Sequence, residues 1–419
     1  MRESFLLTLR SLVRGHVLTV LAAATAAVHM LFPALVRGDG TVAGAREMFL
    51  RAVPGTVVAL VLVSVTACAC GLFARERDAH RLALAAVRPV SAFSLATGRW
   101  LALCAVALPL LAANALLVAV RFPDAPDCRH HHSPTLPPPV VVARKMMEAY
   151  LKDPETPEAV RKASPRAVLT LLTNKESDRY NVISPGERMS WPFDGMGLDD
   201  GAAKETKAIV RVCFASTFST RTPVRGTFSF GGASAVVSNE TQSVVDIPLT
   251  GDASHATELV FVNNGRDSVM LRPRRDMEIL LPADSFQANL FRATLQSFAT
   301  IALLAAFGIF LSAALSRPVA VFTALVLVAV ALMAPSAIEQ FPDELDVSLA
   351  NRIGLALSRG VAFLTASFAG PSPVSDMAES RCIEWSALAR TLVVDVLALP
   401  MMFLGLAARI VRSRPLVLS

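Results

Sequence analysis

The sequence predicts an α-helical polytopic membrane protein, with about six transmembrane helices and one inserted extracytoplasmic domain of α+β structure. Three observations predict this class. The 419 residues are 53% hydrophobic and only 18% charged, whereas soluble proteins carry about 25% charge. Long stretches near both ends are almost free of charge, while the middle resembles a soluble domain. Arginines cluster in short segments beside the apolar runs, which is typical of cytoplasmic loops.

Residues 1–14 predict an amphipathic helix on the cytoplasmic surface of the membrane. Apolar residues fall near one helical face and arginines near the other, as in helices that lie in the membrane interface. The apolar residues of this face are Phe5, Leu6, Leu9 and Leu12.

Three membrane spans are predicted to complete the N-terminal part, residues 1–122. Each apolar run is long enough to cross a hydrocarbon core of about 30 Å. The runs cover residues 16–36, 53–74 and 100–122. A cleaved signal peptide is the alternative for the first run, but its apolar residues continue past the small-residue stretch AAATAA as far as Leu35. Two crossings return the chain to its starting side, so the arginine-rich segment 75–99 is predicted to be cytoplasmic.

Residues 123–291 are predicted to form the extracytoplasmic domain. A proline-rich linker opens it, and short amphipathic helices follow at 140–176, with Ser164 as an N-cap before a proline. From 207 to 282, short β-branched and aromatic runs alternate with Gly, Asn, Asp and Pro, which predicts an antiparallel, sandwich-like part. The stretch NNGRD at 263–267 is interpreted as a hairpin turn.

Residues 292–419 are predicted to hold the last three spans and to end in the cytoplasm. The apolar runs cover residues 293–315, 319–338 and 388–408. Ser316-Arg317-Pro318 is the expected cytoplasmic turn between the first two runs, and arginines follow the last run. Segment 347–369 is moderately apolar, but Arg352 and Arg359 make a full crossing costly. A re-entrant or surface helix is therefore favoured over a seventh span.

The cytoplasmic segment between the second and third spans carries the most informative motif. A Glu precedes a helix with leucines, then an Arg-Pro-Val-Ser break whose Ser91 is expected to cap the helix of the next span, then a Gly-Arg pair that opens that span. These residues are Glu76, Leu82, Leu84, Arg88, Pro89, Val90, Ser91, Gly98 and Arg99. In this motif and in the order of its spans, the chain resembles the permeases of ABC-2 type exporters. It departs from the family at His80-Arg81, where Gly-Thr is frequent.

The resemblance implies that this segment is a coupling helix that docks on a separate ABC ATPase subunit. The implied coupling residues are Glu76, Arg77, Arg81, Leu82, Leu84, Arg88, Pro89, Val90 and Ser91. It also implies an exporter permease in the inner membrane of a bacterium, working as a homodimer or as a heterodimer with a paralogous permease. The sequence has no G-x-x-x-x-G-K-[ST] phosphate loop, so ATP and Mg²⁺ are expected to be used by the partner. The simpler alternative is a solvated loop that only maintains topology.

Cys128, His130 and His132 are the candidate metal ligands of the extracytoplasmic region. Cysteine and imidazole are good ligands for zinc or copper. Adjacent histidines in an extended segment cannot all face one ion, so a further donor from elsewhere is required. Two alternatives remain open: a disulfide of Cys128 with Cys213 or Cys382, and a polar linker that does neither.

Three ionisable residues are predicted to lie within or near the membrane: Asp395, His29 and Arg359. Such groups indicate functional sites by default, because charge at depth is costly. The simpler interpretation of Asp395 is a structural ion pair with Arg359 or Arg390. His29 is expected to bond to a backbone carbonyl or to lie near the outer interface.

The sequence predicts no enzymatic activity for this chain. Neither a G-x-S-x-G nor an H-E-x-x-H motif occurs. The charge of the middle region is nearly balanced, which disfavours nucleic acid as a partner and leaves the lipid bilayer. Four aromatic residues are predicted to form core rather than a ligand surface: Trp191, Phe193, Phe228 and Phe230. The alternative to transport is a membrane-anchored binding or envelope-assembly module, in which the spans only hold the β-rich domain.

Overall fold

The computed structural model describes residues 1–35, 42–78, 91–137, 139–152, 164–193, 208–215, 223–241, 243–250, 257–340 and 372–413. The chain divides into two compact units. The first unit comprises Met1–Cys128 and Asp284–Ser419, and the second comprises Arg129–Ala283. The inserted domain predicted at 123–291 extends a few residues beyond the second unit at each end.

The first unit is helical, and the second contains short helices beside its strands. The helices are α1 Arg2–Arg14, α2 Val17–Leu35, α3 Val42–Asp78, α4 Ala92–Arg121, α5 Pro139–Lys152, α6 Pro165–Asn181, α7 Pro273–Asp276, α8 Phe286–Ala314, α9 Arg317–Gln340, α10 Pro373–Ala378 and α11 Trp385–Ser413. Helix α11 contains a π-helical segment at Leu392–Ala398.

Four helices are long and apolar enough to cross a membrane, namely α3, α4, α8 and α11, with mean hydropathies of 2.0 to 2.5. Helices α1 and α2 meet at a bend of 54° and qualify together as a fifth candidate. In α9, the apolar stretch found among the described residues, Arg317–Ala329, is shorter than a membrane span. The protein is therefore mostly helical, with membrane-spanning character, and the count of six spans stays a prediction. The predicted re-entrant segment 347–369 lies outside the described residues.

Helix α8 lies at the centre of the first unit, where it packs against α3, α4 and α11. The side chains of residues 301–306 are all buried, although they point in every direction around the helix. A helix that is apolar on all sides is surrounded by other helices rather than exposed on one face.

Gly308 permits the close approach of α8 to α3. A Cβ atom at Gly308 would lie 2.8 Å from the Cβ of Ala69 and 3.3 Å from the Sγ of Cys70. We expect Gly308→Leu to force the helices apart and to cost about 1–3 kcal/mol of stability. Gly405 in α11 has no atom within 4 Å of such a Cβ, so Gly405→Leu is the matched control. Thermal unfolding of the detergent-purified variants measures the difference, and equal losses at both positions would contradict this account.

Short antiparallel strands form the framework of the second unit. They are β1 Arg129–His132, β2 Val182–Ile183, β3 Arg188–Pro192, β4 Ile209–Cys213, β5 Pro223–Phe230, β6 Ala233–Glu240, β7 Val244–Pro248, β8 Glu258–Asn263, β9 Val269–Met270 and β10 Met277–Pro282. Two four-stranded sheets have the orders β1-β10-β4-β7 and β3-β8-β5-β6, and β2 pairs with β9.

Both four-stranded sheets contribute side chains to one hydrophobic core. Alternate residues of β5 are buried, as expected when one face of a strand is covered. The prediction that four aromatic residues belong to the core is confirmed, because all four are buried in this cluster: Trp191, Phe193, Phe228 and Phe230. They are not available as a ligand surface.

Two local predictions in the second unit have different outcomes. Ser164 caps α6, since its Oγ accepts a hydrogen bond from the backbone N–H of Ala167 at 3.3 Å. The hairpin at 263–267 is wrong. Strand β8 before it pairs with β3 and β5, whereas β9 after it pairs with β2, so the turn connects two sheets. Its shape is held by Asn263, whose Oδ1 accepts from the N–H of Gly265 at 2.9 Å.

Candidate functional site

An ion pair joins the ends of α3 and α4 that frame the predicted coupling segment. Glu76 lies in the last turn of α3, and its carboxylate accepts a hydrogen bond from the guanidinium of Arg99 in α4. The Arg99 side chain is 4% exposed and that of Glu76 is 37% exposed. The Arg99 guanidinium also lies 4.1 Å above the ring of Phe73. A buried arginine thus fixes the two helix ends to each other.

The end of α3 is also fixed to the end of α8. The Arg77 guanidinium donates to the carbonyl of Leu315 at 2.8 Å, and Leu315 caps the C-terminus of α8. One turn earlier, the Ser312 hydroxyl accepts from the N–H groups of Phe73 and Ala74, at 2.9 and 3.1 Å. The Arg77 bond gives a partner to a carbonyl at the C-terminus of α8, where helix ends otherwise lack one, and Ser312 joins α8 to two backbone groups of α3. The ends of α3, α4 and α8 therefore form one polar frame.

Ser91 closes the other end of the coupling segment. Its Oγ accepts a hydrogen bond from the N–H of Ser94 at 3.1 Å, so the predicted N-cap of α4 is confirmed. Of the predicted coupling residues, Glu76, Arg77 and Ser91 are described. The others lie outside the described residues: Arg81, Leu82, Leu84, Arg88, Pro89 and Val90.

Helix α1 packs on α4 through small polar residues as well as through Leu12 of its apolar face. Ser4 and Thr8 are buried together with Leu12, and the Ser4 hydroxyl donates to the carbonyl of Leu95 at 3.0 Å. A Cβ atom at Gly98 would lie only 2.7 Å from the carbonyl oxygen of Met1. Small residues allow helix backbones to approach closely. The sequence contained a signal for this contact, because Ser4, Thr8 and Leu12 recur every four residues and so lie on one helix face. The prediction missed it because it considered apolar residues only.

A second polar cluster surrounds Arg292 near the start of α8, far along that helix from the polar frame. The guanidinium is 1% exposed and binds the Asp284 carboxylate. It also donates to the Sγ of Cys382 at 3.0 Å and to the carbonyl of Ile383, and lies 4.8 Å from the ring centre of Trp385. This arginine ties the start of α8 to the segment that precedes α11.

Asn289 adds two hydrogen bonds to the same connection. Its Nδ2 donates to the carbonyl of Arg381 at 2.8 Å, and its Oδ1 accepts from the N–H of Ile383 at 2.9 Å. Sequence reasoning did not single out Arg292 or Asn289. The sequence nevertheless contained a signal for these two residues. An Asn and an Arg three residues apart at the start of an apolar helix require polar partners when they are buried.

Cys128 joins this cluster from the chain that follows α4. Its thiol is hydrogen-bonded to that of Cys382, and its N–H donates to the carbonyl of Asp284 at 2.9 Å. The pKa of Cys128 is raised, first by the hydrogen bond to Cys382 and then by burial. The cluster therefore contains two neighbouring thiols and one buried guanidinium.

No family model, curated protein or solved structure matches this chain. The resemblance to ABC-2 permeases therefore depends on the sequence motif and on the order of the helices. The geometry of the two polar clusters does not depend on that resemblance. It therefore supplies separate arguments about function.

The candidate metal ligands gain no support from the structure. Within the ranges that it describes, no group of three or more His, Cys, Asp and Glu side chains is arranged to hold an ion. His130 and His132 lie two apart on β1, and so share one strand face. Cys128 has the thiol of Cys382 as its partner. Cys128 is therefore one of a pair of neighbouring cysteines.

The intramembrane candidates have different surroundings. His29 in α2 donates from Nε2 to the Oδ1 of Asn114 in α4 at 2.9 Å, a side-chain partner that the sequence analysis did not name, and its position near the outer interface stays a prediction. Asp395 is buried in the π-helical segment of α11. Segments of this kind are frequent at functional sites, and Asp395 remains the strongest intramembrane candidate. Arg359 lies outside the described residues.

Proposed function

We propose that this chain is the permease subunit of an ABC-type exporter in a bacterial inner membrane, driven by a separate ATPase. The single observation that carries the proposal is the polar frame around residues 79–90. The Glu76–Arg99 pair and the Ser91 cap fix both ends of the segment, and Arg77 ties it to α8. A force applied to this segment therefore acts on three membrane helices together.

The mechanism follows from how those helices are connected. An ATPase that binds residues 79–90 and changes shape pushes on α3 and α4 as one body, because their ends are joined by the buried Arg99. Helix α8 is surrounded by the other helices and follows through Arg77 and Ser312. Rigid-body motion of helices around a fixed connection is a common form of conformational switching. Two copies, or this chain and a paralogue, would enclose the pathway.

The proposed topology has the polar frame and both chain termini in the cytoplasm. Arg75, Arg77 and Arg317 lie at helix ends on this side, as the positive-inside rule requires. The second unit then lies outside as the extracytoplasmic α+β domain with a β-sandwich-like part. Its first and last strands, β1 and β10, pair with each other, and Arg129 lies opposite Pro282. The two ends of the unit are therefore adjacent, as expected for a domain inserted into another.

Site-specific photo-cross-linking tests the partner directly. A photoreactive amino acid at Leu82 or Leu84, incorporated in the native host, is expected to cross-link a polypeptide that carries a phosphate loop and hydrolyses ATP. The same probe at Val120, which is exposed near the opposite end of α4, is the control and should not label that polypeptide. The absence of an ATPase adduct from both coupling positions, or equal labelling from Val120, would overturn the proposal.

Removal of the second unit separates the permease from the membrane-anchored module. The N–H of Cys128 and the carbonyl of Asp284 are 2.9 Å apart, so a short Gly-Ser link can replace residues 129–283. We expect the shortened chain to retain the ATPase cross-link at Leu84. A membrane-anchored binding module predicts instead that no ATPase is found with either form.

A further inference from the structure

Two buried thiols lie in contact although they are far apart in the sequence. Cys128 follows α4, and Cys382 precedes α11. Both side chains are buried, and their thiols are hydrogen-bonded to each other. Neither is bonded covalently. The other cysteines are placed differently: Cys68, Cys70 and Cys104 lie within α3 and α4, and Cys213 lies in the second unit.

We propose that Cys128 and Cys382 form a disulfide bond that joins the outer end of α4 to the segment leading into α11. The proposal rests on the topology of the proposed function, in which both cysteines are outside the cytoplasm, where disulfides persist. The two thiols are neighbours in the Arg292 cluster, and a disulfide requires two such neighbouring side chains.

The surrounding residues hold both sulfurs in place. The Cys128 backbone is bound to the carbonyl of Asp284, while the side chain of Asp284 binds Arg292. Arg292 in turn donates to the Sγ of Cys382 at 3.0 Å. One ion pair therefore orients both cysteines, and this arrangement does not depend on the bond.

The chemistry is thiol–disulfide exchange with the disulfide of an extracytoplasmic dithiol oxidase, before folding closes the site. The thiolate of one cysteine attacks one oxidase sulfur, and a mixed disulfide forms as the second oxidase sulfur leaves as a thiolate. The other cysteine then loses its proton and attacks the Sγ of the first cysteine, which releases the first oxidase sulfur. The two cysteines lose two electrons and two protons in total. The oxidase disulfide gains both and becomes a dithiol.

The bond would close a loop that contains the whole second unit, since residues 129–283 lie between the two cysteines. It therefore attaches the chain that follows α4 to the segment that precedes α11. Disulfides that close long loops restrict the unfolded chain most.

A cleavage experiment on the full-length protein tests the bond. A protease recognition sequence is inserted after Asp200, between the two cysteines, and thiols are blocked with N-ethylmaleimide when native membranes are lysed. After cleavage, the two fragments are expected to migrate together on a denaturing gel without reductant and to separate fully with reductant. Cys128→Ser and Cys382→Ser should separate without reductant, whereas the matched control Cys213→Ser should stay linked.

Wild-type fragments that separate without reductant would overturn the disulfide, and so would a linkage that persists in Cys128→Ser. Mass spectrometry of the wild-type protein must also find the peptide pair that contains Cys128 and Cys382. This readout does not depend on the folding of any variant. The cross-link from Leu84 to an ATPase does not require the bond. If the Leu84 probe cross-links an ATPase but the fragments separate without reductant, the disulfide alone is rejected. If the cross-link and the linked fragments are both absent, the permease is rejected as well.

Discussion

Arg292→Met is expected to lower the stability of the helical unit by about 3 kcal/mol. The guanidinium is buried and donates to the carbonyl of Ile383 and to the Asp284 carboxylate. Methionine fills much of the space but leaves the carbonyl without its donor. Breaking a buried ion pair costs about 3–5 kcal/mol. The lower end applies here, because Asp284 is 49% exposed and water can solvate its carboxylate after the change.

An exposed arginine provides the comparison for this prediction. Arg51 in α3 binds Glu379 at 3.3 Å, and its side chain is 59% exposed. Exposed pairs contribute about 0–1 kcal/mol, so Arg51→Met should change stability little. Arg292→Lys keeps the charge but loses the planar fork, and should fall between the two methionine variants. Thermal unfolding in detergent measures all three. Equal stability of Arg292→Met and Arg51→Met would show that the buried cluster does not hold the helices together.

The sequence predicted the helices well because their signal is local. A run of apolar residues longer than a bilayer is thick has few other interpretations, and the predicted runs 53–74, 100–122, 293–315 and 388–408 coincide with α3, α4, α8 and α11. Helix caps are equally local, which is why Ser91 and Ser164 were assigned correctly. Strands β1 and β3 were missed, because RHHH has no apolar residue and the short alternation in RMSWP ends at a proline.

The partners of buried polar residues could not be predicted, because they depend on contacts between distant parts of the chain. Arg99 was recognised as part of a motif, but its ion pair with Glu76 requires the packed ends of two helices. Arg292 received no role, although its cluster joins residues about 90 positions apart. Cys382 was one of two possible partners of Cys128 in the sequence. Only the fold shows which thiol is its neighbour.

Arg99→Ala is expected to reduce the ATP hydrolysis of the assembled transporter about tenfold without abolishing ATPase binding. Coupling between distant sites in proteins corresponds to about 1–3 kcal/mol, or about 5- to 150-fold. The alanine removes the ion pair to Glu76 and the contact with Phe73. The two helix ends can then move separately, so binding of the ATPase no longer displaces both. Arg75→Ala, which removes an exposed arginine beside Glu76, is the control and should retain full activity.

Exchange of the two charges separates coupling from simple destabilisation. In the double variant Glu76→Arg/Arg99→Glu, the pair is restored with the carboxylate at the buried position. A carboxylate at position 99 cannot reproduce the contact of the guanidinium with the Phe73 ring, so recovery is expected to be partial. ATPase rates are measured in reconstituted membranes and normalised to the ATPase bound.

If the double variant is no more active than Arg99→Ala, the ion pair does not transmit the motion. Full activity of Arg99→Ala itself would show that α3 and α4 need no such connection. Partial recovery, by contrast, is the result that a rigid frame of paired helix ends requires, because it restores the connection without restoring either original side chain.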